Sequence, residues 1–280
     1  MIEALNGAGP ARPLVLLTVI GLVAAEWRWL ARRRPAPGGY DLRETAASTL
    51  IAAGNRLIRP LSAALLAPLF LWVHQHRLMD LQPRGAPGYL GAFLLVDFVY
   101  YWLHRSSHKV RWLWATHGVH HSSTRFNLSA AYRLGWTDLL SGAWLFALAL
   151  VWLGLPPLVV LGALGLNLLF QFLLHTELVG RLGWLEWLFN TPAHHRVHHA
   201  VNASVRDRNF GGVLIVWDRL FGSYAEAPAD EPLRYGLAGR EPSQNQNPLR
   251  IVFGEWLALY RDLRQTRGLR QALSLLFLPR

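Results

Sequence analysis

The sequence predicts an all-α integral membrane protein: about five transmembrane helices under a cytoplasmic, histidine-rich helical cap. Three observations predict it. The 280 residues are 52% hydrophobic and only 16% charged, against about 25% charged in soluble domains. The apolar residues gather in runs approaching the roughly 20 residues that a bilayer span requires, edged by Trp and Arg. Ten of the twelve histidines fall into four groups that lie beyond the ends of those runs.

Residues 14–31 are the first span. They end in Trp27 and Trp29 and are followed by Arg32, Arg33 and Arg34, which places this end in the cytoplasm. The run is short, so Glu26 and Arg28 are expected near the membrane surface. Residues 35–39 read as a linker. Arg56, Arg59 and Pro60 interrupt residues 44–73, which read as an interfacial amphipathic helix followed by a span over 61–73. Residues 74–88 form a polar loop on the outer side and carry His74 and His76. Residues 88–103 are the third span, continuing as helix to about His108. Residues 136–153 and 157–174 are the fourth and fifth, joined by an uncharged outer turn. Arg105, Lys109 and Arg111 keep the loop after the third span cytoplasmic. All four histidine groups then share one side of the membrane, a placement reached from charge asymmetry without reference to them.

Beyond Asn202, residues 207–212 (DRNFGG) read as a turn and residues 217–224 (WDRLFGSY) as an amphipathic aromatic stretch. Residues 226–248 read as a surface loop, and residues 250–264 and 268–278 as amphipathic helices lying on the membrane. Three regions result: 1–96, spans and linker; 97–224, the region bearing the site; 225–280, a C-terminal loop and interfacial helices. The chain has no cysteine, so disulfides, thiolate ligands and a cysteine nucleophile are excluded. The net charge is +11, but the basic residues flank apolar runs, which fits an anionic leaflet and not nucleic acid.

The densest motif is NTPAHHRVHHAVN, residues 190–202. On a helix His195, His198 and His199 share a face, and His194, four residues before His198, can reach it. Pro192 suits the first turn, with Asn190 or Thr191 as cap. His117, His120 and His121 repeat the HxxHH spacing, His104 and His108 form HxxxH, and His175 ends the last apolar run. A lone histidine is usually an ordinary core or surface residue. Imidazoles stacked on one face are different: protonated they repel, and neutral each presents a lone pair that wants a donor or a metal. Nine or ten exceed what one ion takes, so two metals with four or five ligands each are expected; imidazole suits Zn, Cu, Fe and Ni alike. Asp97 lies on one helical stripe with Tyr101, His104 and His108. An acid within a span is costly, so it either accepts the second N–H of a ligating imidazole or pairs inside the bundle. Gly118 follows His117 and Arg196 follows His195, so the HExxH of zinc hydrolases is missing. Such a site beside a bilayer suits oxygen activation on an apolar substrate. Non-enzymatic metal binding or transport is the competing reading.

The order HxxxH, HxxHH, HHxxHH resembles the fatty acid hydroxylase/sterol desaturase superfamily of membrane di-iron oxygenases. The stretches HHSSTRFNLSAAYR (120–133), LLHTELVGRLGWLEWLFNTPAHHRVHH (173–199) and NFGGVLIVWDRLFGSY (209–224) resemble its alkylglycerol monooxygenase-like branch. The likeness covers roughly residues 97–224. It implies that His104, His108, His117, His120, His121, His175, His195, His198 and His199 are metal ligands. His194 matches a further family histidine, and Asn127 and Glu177 sit in motif positions that could support the ligands. It also implies two iron ions, O2 as co-substrate and a membrane lipid, sterol-like or ether-linked, that is hydroxylated or desaturated. Electrons would come from an external donor: a cytochrome b5-like or ferredoxin-like carrier, or the pterin that the branch suggests. Two departures bear on head-group recognition. Ala200-Val201-Asn202 stands where relatives commonly have Gly-Arg-Asn, and Arg125 stands where they often have an acid.

Overall fold

The computed structural model describes residues 11–32, 39–239 and 246–277. Arg33 and Arg34 of the basic run, residues 35–38 of the linker, residues 240–245 of the loop and Leu278 lie outside the described residues. Among the described residues the regular structure is helical, apart from two isolated bridges, Phe189 with Leu214 and Ala200 with Tyr235.

Helix α1, Ala11–Arg32, faces outward along most of its length, with Leu14, Leu16 and Leu17 exposed as lipid-facing side chains would be. A strong attachment of α1 is polar. Glu26 is buried and accepts from Thr176 Oγ1 (2.5 Å), Tyr40 Oη (2.6 Å) and Leu128 N (2.8 Å). Glu26 therefore sits inside the protein, tying α1 to the cap, while Arg28 is exposed.

Helix α2, Leu42–Gln75, is one continuous helix of 34 residues, where the sequence reading expected an interfacial helix and then a separate span. Asp41 caps it, accepting from Arg43 N and Glu44 N. Pro60 and Pro68 lie within it. A proline removes one N–H, and membrane helices tolerate that loss where neighbours satisfy the freed carbonyl. At 1.5 Å per residue α2 is about 51 Å long, well beyond the roughly 30 Å of hydrocarbon. Its N-terminal half packs into the cap through Glu44, Ala47, Ser48, Ile51 and Asn55, and its C-terminal half joins the bundle through Phe70 and Val73.

Helix α3, Gly85–Lys109, runs from the far end of the bundle into the cap, where α4, Arg111–His121, turns back across it. Two single turns follow, α5 (Leu128–Ala131) and α6 (Asp138–Ser141). Gly142, at φ 75°, then takes the left-handed conformation open to glycine, and α7 covers only Trp144–Leu153. The expected span over 136–153 is thus broken. Ten residues of α7 reach about 15 Å, half the hydrocarbon thickness. Among the described residues four helices, α1, α2, α3 and α8 (Pro157–Leu174), are long and apolar enough to cross a membrane. The bundle core is formed by Phe70, Val73, Val96, Leu150, Val151 and Val160 from α2, α3, α7 and α8.

The remaining helices are α9 (Pro192–His199), α10 (Val216–Leu220), α11 (Pro248–Leu263) and α12 (Leu269–Phe277). A 3-10 turn, Gly183–Trp187, precedes α9. One face of α11 packs on protein, with Val252 against Ile51 and Val119 and Trp256 Nε1 donating to Thr137 Oγ1 (2.9 Å), while Leu249, Phe253, Leu257 and Tyr260 remain exposed. Helix α12 buries no residue, and its Leu269, Leu273 and Phe277 remain exposed.

Candidate metal centre

Three local features bring the histidines together. The α3 stripe is buried along its length at Asp97, Tyr101, His104 and His108. Helix α4 is held on the cap by its neighbours. Glu44 of α2 accepts from Ser123 Oγ (2.7 Å), Thr124 N (3.1 Å) and Thr124 Oγ1, just past HxxHH. The fully buried Arg133 donates to Ser48 Oγ (3.1 Å), Ser122 Oγ (3.1 Å), Glu44 O (3.2 Å) and Gln246 Oε1 (3.2 Å). Helix α9 starts as its sequence indicates, with Pro192 in the first turn and Thr191 Oγ1 accepting from His194 N.

Nine imidazoles converge in two groups. His104, His108, His117, His121 and His198 form one, and His120, His175, His195 and His199 the other; within each, one ring nitrogen per residue lies within 4.8 Å of the others. His117 Nε2 has three nitrogen neighbours: His104 Nε2 (3.1 Å), His108 Nε2 (3.1 Å) and His121 Nε2 (3.2 Å). His175 Nε2 has two, His120 Nε2 and His195 Nε2, both at 3.1 Å.

Hydrogen bonding alone does not explain these contacts. His104 Nδ1 lies 2.8 Å from Phe210 O, and His175 Nδ1 lies 2.8 Å from Gln171 O. His198 Nδ1 lies 3.0 Å from Arg208 O, and His108 Nδ1 lies 3.1 Å from Asp207 Oδ1. Each of these oxygens only accepts, so each Nδ1 carries the hydrogen and, in a neutral ring, Nε2 carries a lone pair. Lone pairs thus point at one another around a common centre. A cation there resolves the conflict: two ligands at right angles, each about 2.1 Å from an ion, stand about 3 Å apart. His198 Nε2 and His199 Nε2 are buried and have no hydrogen-bond partner, as expected of donors reserved for a metal. Burial, with a smaller contribution from neighbouring imidazoles, holds His121, His195 and His199 well below the usual histidine range, and burial brings His175 down to about 4. Burial thus favours the neutral form of these four rings, the form that binds metal.

His194 belongs to neither group. Its buried ring meets Tyr224 edge-on, 5.5 Å between centroids, and neither ring nitrogen has a hydrogen-bond partner. The three expected supporting residues make no hydrogen bond to an imidazole of either group. Asp97 accepts from Asn167, Val213, Leu214 and Trp217 inside the bundle. Asn127 caps α5 through Ser129 N and Ser129 Oγ. Glu177 accepts a 3.5 Å contact from Tyr235 Oη, and burial raises its carboxyl above the usual range.

The oxygens that do orient the rings were missed: Asp207 and the carbonyls of Arg208, Phe210 and Gln171. The DRNFGG turn held the clue, since Asp207 and Asn209 adopt φ 59° and 56°. Asp and Asn tolerate that left-handed turn, and it presents Asp207, Arg208 and Phe210, three of four consecutive residues, to the histidines. A narrow opening of about 20 Å³, room for about one water, is lined by His108, Trp114, His121, His198, Arg206 and Asp207.

Helical spans joined to two converging imidazole sets define a class, integral membrane proteins with a paired histidine centre. Residues 89–223 match the fatty acid hydroxylase family. Over 251 residues it is 37% identical to the alkylglycerol monooxygenase of Homo sapiens, covering 89% of this chain and 54% of that protein. It is 46% identical over 176 residues to the alkylglycerol monooxygenase of Danio rerio, covering 63% and 38%. It is 30% identical over 196 residues to the ornithine lipid hydroxylase OlsE of Rhizobium tropici, covering 70% and 59%. The chain spans about half the length of the Homo sapiens relative, and less of the Danio rerio one. No solved structure matches it.

Proposed function

We propose that the chain is a membrane lipid hydroxylase whose two histidine groups each hold one iron. The observation that carries the reading is the convergence of neutral imidazole nitrogens into a five and a four, with His198 Nε2 and His199 Nε2 otherwise unpartnered. His104, His108, His117, His121 and His198 would hold one ion, and His120, His175, His195 and His199 the other. Iron bound there would supply the oxygen activation needed to attack an unactivated C–H bond.

The chain's own residues do the positioning. Carbonyls and Asp207 fix the Nδ1–H tautomers, so that the Nε2 lone pairs face inward without further reorganisation. Burial of the rings excludes bulk water and its side reactions. The small pocket beside His108, His121 and His198 has room for a molecule of the size of O2, and the lipid comes from the bilayer, the phase in which it is dissolved. Residues 97–224 are the catalytic region, and the cap faces the cytoplasm, a reading supported by the basic residues beside the spans. Electrons come from an external donor, a cytochrome b5-like or ferredoxin-like carrier or a pterin. Hydroxylation is preferred to desaturation because the named relatives are monooxygenases and hydroxylases. Ether lipids and sterols are the substrate classes to test first.

The test is expression of the wild-type chain and His198→Ala in a host without this activity, under ¹⁸O2. A lipid carrying ¹⁸O in wild type and missing from the variant supports the reading. An unchanged lipidome beside a purified chain with two bound metals would favour non-enzymatic metal binding instead.

A further inference from the structure

The carboxylate of Asp97 lies within the spanning length of α3, is fully buried, and receives four N–H groups and no cationic side chain. Oδ1 accepts from Asn167 Nδ2 (2.6 Å) and Val213 N (2.8 Å); Oδ2 accepts from Leu214 N (3.2 Å) and Trp217 Nε1 (2.9 Å). An unpaired charge in such a place is expensive, and a hydrophobic bundle does not call for one. Three of the four donors, Asn167, Val213 and Leu214, lead to the histidines.

The first route runs through residues 210–214, the second half of the DRNFGG turn and the two residues after it. Val213 and Leu214 fix its end. Asp218, itself fully buried, fixes its start by accepting from Phe210 N (2.7 Å) and Gly211 N (2.6 Å). Phe210 O, held between the two carboxylates, receives His104 Nδ1. Close packing leaves this segment little play: a Cβ at Gly212 would lie 2.6 Å from Asn167 Nδ2 and 2.9 Å from Asp97 Oδ1.

The second route runs along α8. Asn167, Gln171 and His175 are spaced by four and form one helical stripe. Asn167 Nδ2 donates to Asp97, Gln171 Nε2 donates to Asn167 Oδ1 (2.5 Å), and Gln171 O receives His175 Nδ1 (2.8 Å). His104 belongs to the first histidine group and His175 to the second.

We propose that Asp97 is a positioning residue for both histidine groups, orienting His104 through the Phe210–Leu214 segment and His175 through Asn167 and Gln171. The inference rests on the metal-binding reading of the two groups. An amide in place of the carboxylate presents its own N–H to at least one of the four donors, so Asp97→Asn loosens both routes while keeping the side chain's size. Asn167→Ala breaks only the α8 route. Trp217→Phe removes one donor to Asp97 that leads to no histidine, and so reports the effect of losing a hydrogen bond to Asp97 outside both routes.

The experiment uses full-length protein purified in detergent from cobalt-supplemented cells. It measures metal equivalents, the ligand-field absorption of the bound cobalt and the rate of extraction by a chelator. Outer partners of metal-bound histidines are typically worth about 10–100-fold in metal affinity. Asp97→Asn should therefore release both ions at least tenfold faster and shift the cobalt bands. Asn167→Ala should do so for one ion, and Trp217→Phe should match wild type. Should Asp97→Asn fail to accumulate, Asn167→Ala against Trp217→Phe decides alone. Wild-type bands and extraction rates in Asp97→Asn or in Asn167→Ala, or an equal shift in Trp217→Phe, would overturn the proposal. A wild-type chain that binds no cobalt would defeat the metal reading and this inference with it.

Discussion

His121 lies flat against His199, with ring centroids 4.2 Å apart and 19° between the planes, and the stack joins the two histidine groups face to face. His121 comes from α4 and His199 from the last turn of α9, so the centre closes only when these two helices meet. Each ring belongs to a different group, so each should control a different ion. His121→Ala and His199→Ala should each retain about one of two metal equivalents, measured by elemental analysis, and lose turnover entirely. Retention of both equivalents by either variant would remove that residue from the ligand set. Stripping the metal with a chelator should also lower the thermal midpoint, because the free energy of binding contributes to the folded state.

The order of the histidine groups and their common end of the bundle were legible because helical period and charge asymmetry act locally. Asp97, Tyr101, His104 and His108 do form one buried stripe, and Thr191 does cap α9. The failures involve contacts between residues far apart in sequence. Glu26 looked like a surface acid because nothing within the first run names Thr176 and Leu128, its partners 150 and 102 residues away. Pro60 read as a terminator because propensity is local, whereas α2 is held on both sides of it by the cap and the bundle. The broken span over 136–153 follows from the left-handed Gly142, which apolar composition outweighed. The partners of the Nδ1 atoms are mostly backbone carbonyls, and the sequence does not distinguish one carbonyl from another.

His194 separates a histidine of the motif from a histidine of the centre. It follows Ala193 in the same helix as His195, yet its ring turns to Tyr224 and away from both groups. His194→Ala should keep two metal equivalents and wild-type metal affinity. Its cost should be confined to stability. A small cavity replaces a buried ring whose nitrogens had no hydrogen bonds to lose, so about 1 kcal/mol is expected. For a chain of this size that is a fall of roughly 2–4 °C in the thermal midpoint. Loss of a metal equivalent would place His194 in the ligand set despite the geometry.

His74 and His76 provide the opposite control. They close α2 at the end of the bundle away from the cap, where Leu78 N donates to Trp152 O (2.8 Å) and Leu81 N donates to Gly154 O (3.2 Å). His76 is held locally, its Nδ1 lying 2.8 Å from Trp72 O and its ring 4.5 Å from the Trp72 ring. Helix α3 starts beside this loop at Gly85 and delivers His104 nineteen residues later, a rise of about 28 Å. A metal–imidazole bond is only about 2 Å long, so neither histidine can reach the centre. The double variant His74→Ala/His76→Ala should keep two metal equivalents and turnover within about twofold of wild type; His76 is exposed and His74 half-buried, so stability should fall by no more than about 1 kcal/mol. Loss of an equivalent here would mean that the two ends of the bundle lie closer than α3 allows, and the assignment of both histidine groups would fall with it.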